Sequence, residues 1–219
     1  MPSRLDLDLS RTSVFLDFDG TVTAHDTGVY LCERLAPPEW KELDAQYAAG
    51  LIGSRECVLS EWDLLPRDAD RLQALAREVA IDPDFPRLVE ALRREGAEVT
   101  VVSDGFGFYA EEVCARLGVA LLANTVDWST FRLEFPHEDR CCACSTCGTC
   151  KQAPIKDARY AGRTAVLVGD GTSDRKAALL ADVLFAKGNL AQWCEVSGIA
   201  YVPFVNLGDV FEELLGDHQ

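Results

Sequence analysis

Asp17 and Asp19 stand two residues apart in the segment DFDGTVT, at the end of the apolar run SVFLDF. Residues two apart in an extended strand project to the same side, so the two carboxylates are expected to point the same way. Adjacent carboxylates repel each other unless a divalent cation lies between them or one of them holds a proton. The pair by itself also fits a solvated strand end with an Asp-Gly turn, so other parts of the chain must decide.

A second pair of carboxylates follows another apolar run, in the segment VLVGDGTSD. Asp170 comes directly after the strand pattern, and Asp174 falls in the first turn of the helix that follows. The helix dipole explains an acidic residue at Asp174 but not at Asp170. If the first and fourth strands are neighbours, Asp170 lies at the same sheet edge as Asp17. Three or four carboxylates at one edge would form a hard oxygen site suited to Mg²⁺.

Ser103 and Asp104 follow a third apolar run, in the segment VVSDGF. A hydroxyl before a small-residue turn into a helix offers its Oγ and free backbone N–H groups to an anion. A serine that only caps the helix is the alternative. This segment is therefore a candidate anion-binding site at the same sheet edge.

The elements that must position these residues are short apolar runs with helical patterns between them. Continuous apolar runs of this length indicate strands that are buried on both faces of a sheet. The alternation predicts the α/β class, with a doubly wound and mostly parallel sheet. The predicted strands cover residues 13–18, 98–103, 119–124, 164–169, 182–186 and 199–204.

The interval 24–85 breaks this alternation, because it contains three helical patterns and no convincing strand. A connection between two parallel strands needs far fewer residues. We therefore expect a small helical cap inserted after the first strand, above the edge where ligands of open α/β sheets bind. The predicted domains are a catalytic core at 1–23 and 86–219 and a cap at 24–85.

The composition limits the class of partner. The formal net charge of −15 argues against nucleic-acid binding, since affinity for a phosphate backbone comes from clustered Lys and Arg. No segment approaches the ~20 apolar residues that span a bilayer, and the first residues contain no apolar run of signal-peptide length. We expect a soluble cytoplasmic protein, a monomer or homodimer, with no nucleic-acid or membrane partner. Scattered cysteines in apolar surroundings also fit a reducing compartment: Cys32, Cys57, Cys114 and Cys194.

A cysteine-rich loop, predicted at 136–151, holds five of the nine cysteines and ends at Lys151. Cysteines spaced three positions apart can hold a structural Zn²⁺. A disulfide, free thiols or a redox cluster remain alternatives at this stage. The candidate zinc ligands are Cys141, Cys144, Cys147 and Cys150.

Four segments occur in the order DFDGTVT, SDG, a lysine and GDGTSD. In that order they resemble the signatures of the haloacid dehalogenase-like superfamily of aspartate-nucleophile phosphatases. The stretch from Pro136 to Lys151 resembles the phosphoserine-phosphatase-like branch, and within it the methylthiopentenyl-phosphate and the phosphocholine/phosphoethanolamine-type phosphatases. The resemblance implies a Rossmann-like core, Mg²⁺, and a small phosphorylated metabolite as substrate. The methylthiopentenyl enol phosphate of methionine salvage is one candidate, and phosphoserine, phosphoethanolamine and phosphocholine are others.

The resemblance also implies roles for the aspartates. Asp17 would be the nucleophile that forms an aspartyl-phosphate, and Asp19 would be first the general acid and then the general base. Mg²⁺ would bind the carboxylates of Asp17 and Asp170 and the backbone carbonyl of Asp19. Asp174 would orient the catalytic lysine or a metal-bound water.

Phosphate binding is implied at a second set of residues. Ser103, Asp104 and Lys151 would bind the transferred phosphoryl group, where positioning and charge stabilisation supply most of the catalysis. Lys151, at the end of the cysteine-rich loop, is the catalytic lysine in this interpretation, rather than Lys156.

Substrate choice is expected to come from the cap. Arg55 and Glu56 resemble the cap element that meets the non-phosphate end of the substrate in this branch. Asp26 and Tyr30, just past the first signature, are also placed to face the site. No basic cluster in the cap suggests a long polyanionic substrate, so a small phosphomonoester is expected.

Other functions stay open on the sequence. Dehalogenases of the same fold use the aspartate nucleophile without the acid two residues later, which Asp19 argues against. A phosphorylated receiver would not carry a helical cap of this size. A metal sensor built on the cysteines, and phosphotransfer to an acceptor other than water, are the remaining alternatives.

Overall fold

The computed structural model describes residues 5–138 and 146–216. Its centre is a six-stranded sheet in which every neighbouring pair of strands is parallel. The strands of the described residues are β1 (Thr12–Leu16), β2 (Glu98–Ser103), β3 (Ala120–Ala123), β4 (Thr125–Asp127), β5 (Arg132–Glu134), β6 (Thr164–Gly169), β7 (Val183–Ala186) and β8 (Val202–Pro203).

The sheet has the strand order β3-β2-β1-β6-β7-β8, and β4 pairs with β5 in a separate antiparallel hairpin. All five residues of β1 are buried, which explains why Val14, Phe15 and Leu16 follow one another as an apolar run without alternation. In the ladder, Leu16 lies opposite Val101 of β2 and Val168 of β6. The carboxyl ends of β1, β2 and β6 therefore meet at one edge, and the first and fourth predicted strands are neighbours.

The helices flank this sheet or form the cap. Their buried positions follow the 3.6-residue period; in α5, for instance, Phe85, Leu88, Val89 and Leu92 face the core. The α-helices of the described residues are α1 (Thr27–Leu35), α2 (Trp40–Ala48), α3 (Ser54–Leu64), α4 (Ala69–Ala76), α5 (Phe85–Arg94), α6 (Phe108–Leu117), α7 (Gln152–Tyr160), α8 (Arg175–Ala178), α9 (Gly188–Ser197) and α10 (Leu207–Leu215).

The predicted α/β class and helical cap are confirmed: α1 to α4 follow β1 directly and precede α5. The domain boundaries at 24 and 85 stay a prediction. The sequence reading missed helix α3, whose apolar residues follow the helical period only weakly, and the β4–β5 hairpin, whose strands are only three residues long.

An aromatic cluster joins the cap to the hairpin and the core. Trp62 of α3 stacks on Phe131 with ring centroids 5.4 Å apart and contacts Phe106 and Trp128 edge-on. The indole Nε1 of Trp62 also donates a hydrogen bond of 3.0 Å to the carbonyl oxygen of Phe131. This packing fixes α3 over the carboxyl edge of the sheet. None of the helices in the described ranges could cross a membrane, as they are too short or too polar.

Candidate active site

Asp17 is the first residue after β1, and its carboxylate lies in a buried cluster with Lys151 and Asp174. The Nζ atom of Lys151 is 2.6 Å from Asp17 Oδ1 and 2.7 Å from Asp174 Oδ1. Burial by itself would lower the pKa of Lys151, but the two carboxylates outweigh this effect and raise the pKa. The ammonium group therefore stays charged and neutralises part of the acidic cluster.

Asp174 also fixes the loop that follows β6. Its Oδ2 accepts hydrogen bonds from the backbone N–H groups of Asp170, at 3.2 Å, and Gly171, at 3.1 Å. Ser173 Oγ accepts a hydrogen bond of 2.9 Å from Lys151 Nζ. Asp174 thus positions both the lysine and the loop, which agrees with an orienting role.

Asp19 lies in the turn that leaves β1, where the chain is no longer in regular strand geometry. Its Oδ2 accepts a hydrogen bond of 3.1 Å from Ser103 Oγ, and its Oδ1 accepts one of 3.1 Å from the backbone N–H of Thr27. The hydroxyl of Ser103 in turn accepts a hydrogen bond from the N–H of Gly105. A hydroxyl can donate to a carboxylate or accept from a carboxylic acid, so the contact between Ser103 and Asp19 is possible in both protonation states.

Gly20 lets Asp170 approach this turn. Asp170 Oδ1 accepts a hydrogen bond of 2.7 Å from Thr21 Oγ1. A Cβ atom on Gly20 would lie 2.4 Å from Asp170 Oδ2, and the φ of Gly20 is +79°. Only glycine fits here without strain.

A divalent cation fits this group of side chains. Carboxylate oxygens of Asp17, Asp170 and Asp174 lie within 4.8 Å of one another. Burial and the charges of Asp174 and Asp170 raise the pKa of Asp17 despite the opposing effect of Lys151, and burial raises the pKa of Asp170 to about 6. Clustered carboxylates of this kind form the hard oxygen donor set that Mg²⁺ takes.

The loop that presents Lys151 is held by the carboxyl ends of β2 and β3. Asp104 Oδ1 accepts a hydrogen bond of 2.6 Å from the N–H of Thr149, and Asn124 Oδ1 accepts one of 3.0 Å from the hydroxyl of Thr149. Asn124 Nδ2 donates to the carbonyl oxygens of Asp104 and Gly105. Burial raises the pKa of Asp104, even though the hydrogen bonds from Ser54 and Thr149 oppose this.

Asp104 also joins the loop to the cap, because its Oδ2 accepts a hydrogen bond of 2.5 Å from Ser54 Oγ at the start of α3. In this arrangement the carboxylate of Asp104 holds protein groups on two sides. Its predicted contact with phosphate stays a prediction.

A cavity of about 330 Å³ lies between this sheet edge and the cap. Its floor includes Asp17, Asp19 and Asp170, and its walls come from α1, α2 and α3. The volume suits a small metabolite. The cavity therefore brings the three predicted catalytic and metal-binding aspartates together under the cap.

Comparison with protein-family models identifies the chain. The model of the haloacid dehalogenase-like hydrolases matches residues 14–179, which run from the middle of β1 to the end of α8 and include the whole cap. The chain belongs to this family.

Two proteins that this chain resembles in sequence carry the same name. One is the 2-hydroxy-3-keto-5-methylthiopentenyl-1-phosphate phosphatase of Exiguobacterium sibiricum, 31% identical over 92% of this chain and 95% of that protein. The other, from Brevibacillus brevis, is 31% identical over 92% of this chain and 94% of its own length.

Solved structures confirm the haloacid dehalogenase-like fold. A substrate-bound phosphoserine phosphatase superposes with a TM-score of 0.71 at 17% identity, covering 93% of this chain and 98% of that one. The phosphoserine phosphatase of T. onnurineus gives 0.68 at 20% identity, with coverages of 96% and 97%.

The predicted substrate residues of the cap take different positions in this hydrolase. Asp26 lines the cavity and caps α1, since its Oδ1 accepts a hydrogen bond from the N–H of Val29. Arg55 and Glu56 line a second cavity beside Thr146, and Arg55 forms an ion pair with Glu138. The hydroxyl of Tyr30 donates to Glu78 on the protein surface.

The predicted zinc site lies partly outside the described residues, because Cys141 and Cys144 fall in 139–145. Cys150 is buried directly before Lys151, and Cys147 is half-buried. In the described part of the chain, the group of side chains that could hold a metal contains aspartates and no cysteine. The zinc prediction gains no support from it.

Several residues around the site were missed from the sequence. Asn124 comes directly after β3, so its place after a strand that neighbours β2 is a signal that could have revealed it. Asp44, Ser54 and Glu61 lie on cap helices with no motif around them. Nothing in the sequence marks them as cavity residues.

Proposed function

We propose that this chain is a Mg²⁺-dependent phosphatase that hydrolyses a small phosphomonoester through an aspartyl-phosphate on Asp17. The observation that carries the proposal is the buried cluster of Asp17, Asp170, Asp174 and Lys151 beneath a cavity of metabolite size. Membership of the haloacid dehalogenase-like hydrolases and the phosphatase names of the relatives support it.

In the first step, a carboxylate oxygen of Asp17 attacks phosphorus, and the bond between phosphorus and the ester oxygen breaks. Asp19 gives its proton to the departing oxygen, which leaves as an alcohol or enol. Lys151, 2.6 Å from Asp17, stays charged and attracts the phosphoryl oxygens.

In the second step, Asp19 takes a proton from water, and the water oxygen attacks phosphorus. The bond between phosphorus and Asp17 breaks, which releases inorganic phosphate and restores both carboxyl groups. The hydrogen bonds from Ser103 and the N–H of Thr27 hold Asp19 in place for both proton transfers.

Mg²⁺ bound by the carboxylates of Asp17 and Asp170 would offset negative charge on the phosphoryl oxygens. Ser103 and Lys151 are the proposed phosphate ligands. The ammonium group of Lys151 also lies between the carboxylates of Asp17 and Asp174. Without a bound divalent cation, the remaining negative charge of this cluster would repel an incoming phosphate.

Several small phosphomonoesters are candidate substrates. The names of the relatives make the methylthiopentenyl enol phosphate the first ester to test, and phosphoserine, phosphoethanolamine and phosphocholine are the alternatives. A reducing, cytoplasmic location is also proposed, because Cys32, Cys57, Cys114 and Cys194 are buried free thiols.

The test is phosphate release from these esters, measured with Mg²⁺ and with the metal removed by chelation. We expect turnover only with Mg²⁺, and we expect Asp17→Asn to reduce kcat/KM about a thousandfold or more, because the amide cannot act as the nucleophile. Asp63→Asn, an equal loss of charge at an exposed position of α3, is the matched control. Full activity of Asp17→Asn, or no phosphate release from any ester, would contradict the proposal.

A further inference from the structure

A small cavity of about 10 Å³ adjoins the candidate active site next to Asp19. Asp19 and Phe106 line both this cavity and the large cavity beneath the cap. The other walls include Thr27, the first residue of α1, and residues 107–110 at the start of α6. The small cavity has room for about one water molecule and is too small for a phosphate ester.

The hydroxyl of Thr27 is buried beside this cavity and lacks a hydrogen-bond partner. Thr27 is only 5% exposed, and within the described residues no group lies in hydrogen-bond geometry with its Oγ1. A buried hydroxyl that makes no hydrogen bond costs free energy, because it has given up its hydrogen bonds to solvent. Thr27 therefore indicates a ligand with hydrogen-bonding groups at this position. The other buried threonines of the described residues each make a hydrogen bond through their hydroxyls: Thr12, Thr21, Thr23 and Thr149.

The start of α6 adds hydrogen-bond donors to the same space. The backbone N–H groups in the first turn of a helix have no partner within the helix, and they point out of its N-terminal end. The residue before α6 is Gly107, which has no side chain to cap them. A Cβ atom there would overlap the carbonyl oxygen of Asn124, so no larger residue can supply a cap. The N–H groups of this turn and Thr27 therefore face one cavity.

We infer that this cavity is a binding site for one water molecule, which is hydrogen bonded to Thr27, to the first turn of α6 and to the carboxyl group of Asp19. Thr27 is then a positioning residue for the proton transfers of Asp19, a role that rests on the proposed phosphatase function. This water lies behind Asp19 and is distinct from the water that attacks phosphorus.

A water molecule suits this position because Asp19 alternates between two protonation states. The backbone N–H of Thr27, which is 3.1 Å from Asp19 Oδ1, can only donate a hydrogen bond. A water molecule donates to the carboxylate and, after rotation, accepts from the carboxylic acid. It holds the side chain in one orientation before and after each proton transfer, which preserves the geometry that general acid–base catalysis needs.

The direct test is a crystal structure of the wild-type protein at a resolution that shows ordered water. We expect one water molecule within hydrogen-bond distance of both Thr27 Oγ1 and Asp19. A dry cavity, or a Thr27 hydroxyl that donates to a backbone carbonyl instead, would overturn the site. This measurement needs no activity, so its outcome does not depend on the proposed function.

Kinetics with two esters test the positioning role. 4-Nitrophenolate leaves without a proton, whereas the alkoxide of benzyl phosphate needs one from Asp19. With Mg²⁺, Thr27→Val should reduce kcat/KM about tenfold for benzyl phosphate and less than about twofold for 4-nitrophenyl phosphate, since kcat/KM reports the first phosphoryl transfer. Thr27→Ser keeps the hydroxyl and should retain the wild-type values for both esters.

Thr12→Val is the matched control, because it removes a buried threonine hydroxyl at the opposite end of β1 from Asp17. It should leave the ratio between the two esters unchanged. Equal losses for both esters in Thr27→Val, or no loss for either, would refute the positioning role. If the wild type releases phosphate from neither ester, the phosphatase proposal fails instead, and the crystal structure still decides the water site.

Discussion

Lys151 is buried between two carboxylates, and its positive charge offsets the free energy that their burial costs. Asp17 and Asp174 are 5% and 0% exposed, and both contact the same ammonium group. Removal of one partner from a buried ionic group leaves an uncompensated charge, which costs more than the group contributes when complete. The stability of the folded chain and the arrangement of its proposed catalytic site therefore depend on the same residue.

Lys151→Met should destabilise the metal-free protein by about 3 to 5 kcal/mol at neutral pH, because the carboxylates lose their cation. Urea unfolding with chelator present measures this loss. Added Mg²⁺ should restore more stability to the variant than it adds to the wild type, since a bound cation stabilises only the folded chain. Lys41→Met, at an exposed cap position, is the control. Equal unfolding midpoints for Lys151→Met and the control would refute the shared role.

At the scale of the elements, two strand ends and one helix start hold the loop before α7 in place. The end of β3 contributes Asn124, and β2 is followed by Asp104; together they hold Thr149, two residues before Lys151. Ser54 at the start of α3 joins the same network through Asp104. The position of the lysine is therefore decided by side chains from separate elements rather than by the loop itself.

Asn124→Ala removes three hydrogen bonds from this network, namely those with Thr149, Asp104 and Gly105. A displacement of about 1 Å at a catalytic group can cost roughly a hundredfold in rate, so we expect kcat to fall ten- to a hundredfold. KM should change less, because the cap walls of the cavity are untouched. Steady-state kinetics provide the measurement, with Ser129→Ala in the neighbouring hairpin as control. A loss confined to KM would argue against a positioning role for Asn124.

At the scale of the whole molecule, the net charge is −15, and several of the acidic residues lie around one cavity. Burial of these carboxyl groups makes the free energy of unfolding depend on pH. The carboxyl of Glu61 has an ordinary pKa of 4.5 in an unfolded chain and a pKa of about 8 in the folded one. Between these values the folded state binds more protons than the unfolded state. The contribution of Glu61 to stability is therefore favourable at low pH and is lost as the pH rises through this window.

Glu61→Gln should remove this part of the pH dependence. Without metal, we expect the variant to gain stability over the wild type as the pH rises from 5 to 8, at up to about 1.4 kcal/mol per pH unit. Thermal unfolding in a series of buffers with chelator measures the gain. Other buried carboxyl groups with a raised pKa, such as Asp104, should leave the variant with a smaller slope of the same sign. Parallel stability curves for the variant and the wild type would show that Glu61 is charged when folded.

The sequence by itself determined the parallel sheet, the helical cap and the aspartates that stand at the ends of its strands. Strand periodicity is local, and a residue that directly follows a buried strand must lie at the sheet edge, so Asp17 and Asp170 were found without coordinates. The ordered signatures also pointed to the hydrolase family and to Lys151. The short β4–β5 hairpin and the weakly patterned α3 gave no comparable local signal.

Only the tertiary structure decided which side chains face these aspartates. Asn124, Ser54 and Glu61 are distant from Asp17 along the chain and belong to no motif, and their roles exist only because strand order and cap packing bring them together. The same holds for Arg55, which the structure places at a second cavity with Glu138. Contacts between remote segments depend on the packing of whole elements, and that information is not present in the spacing of residues along any one of them.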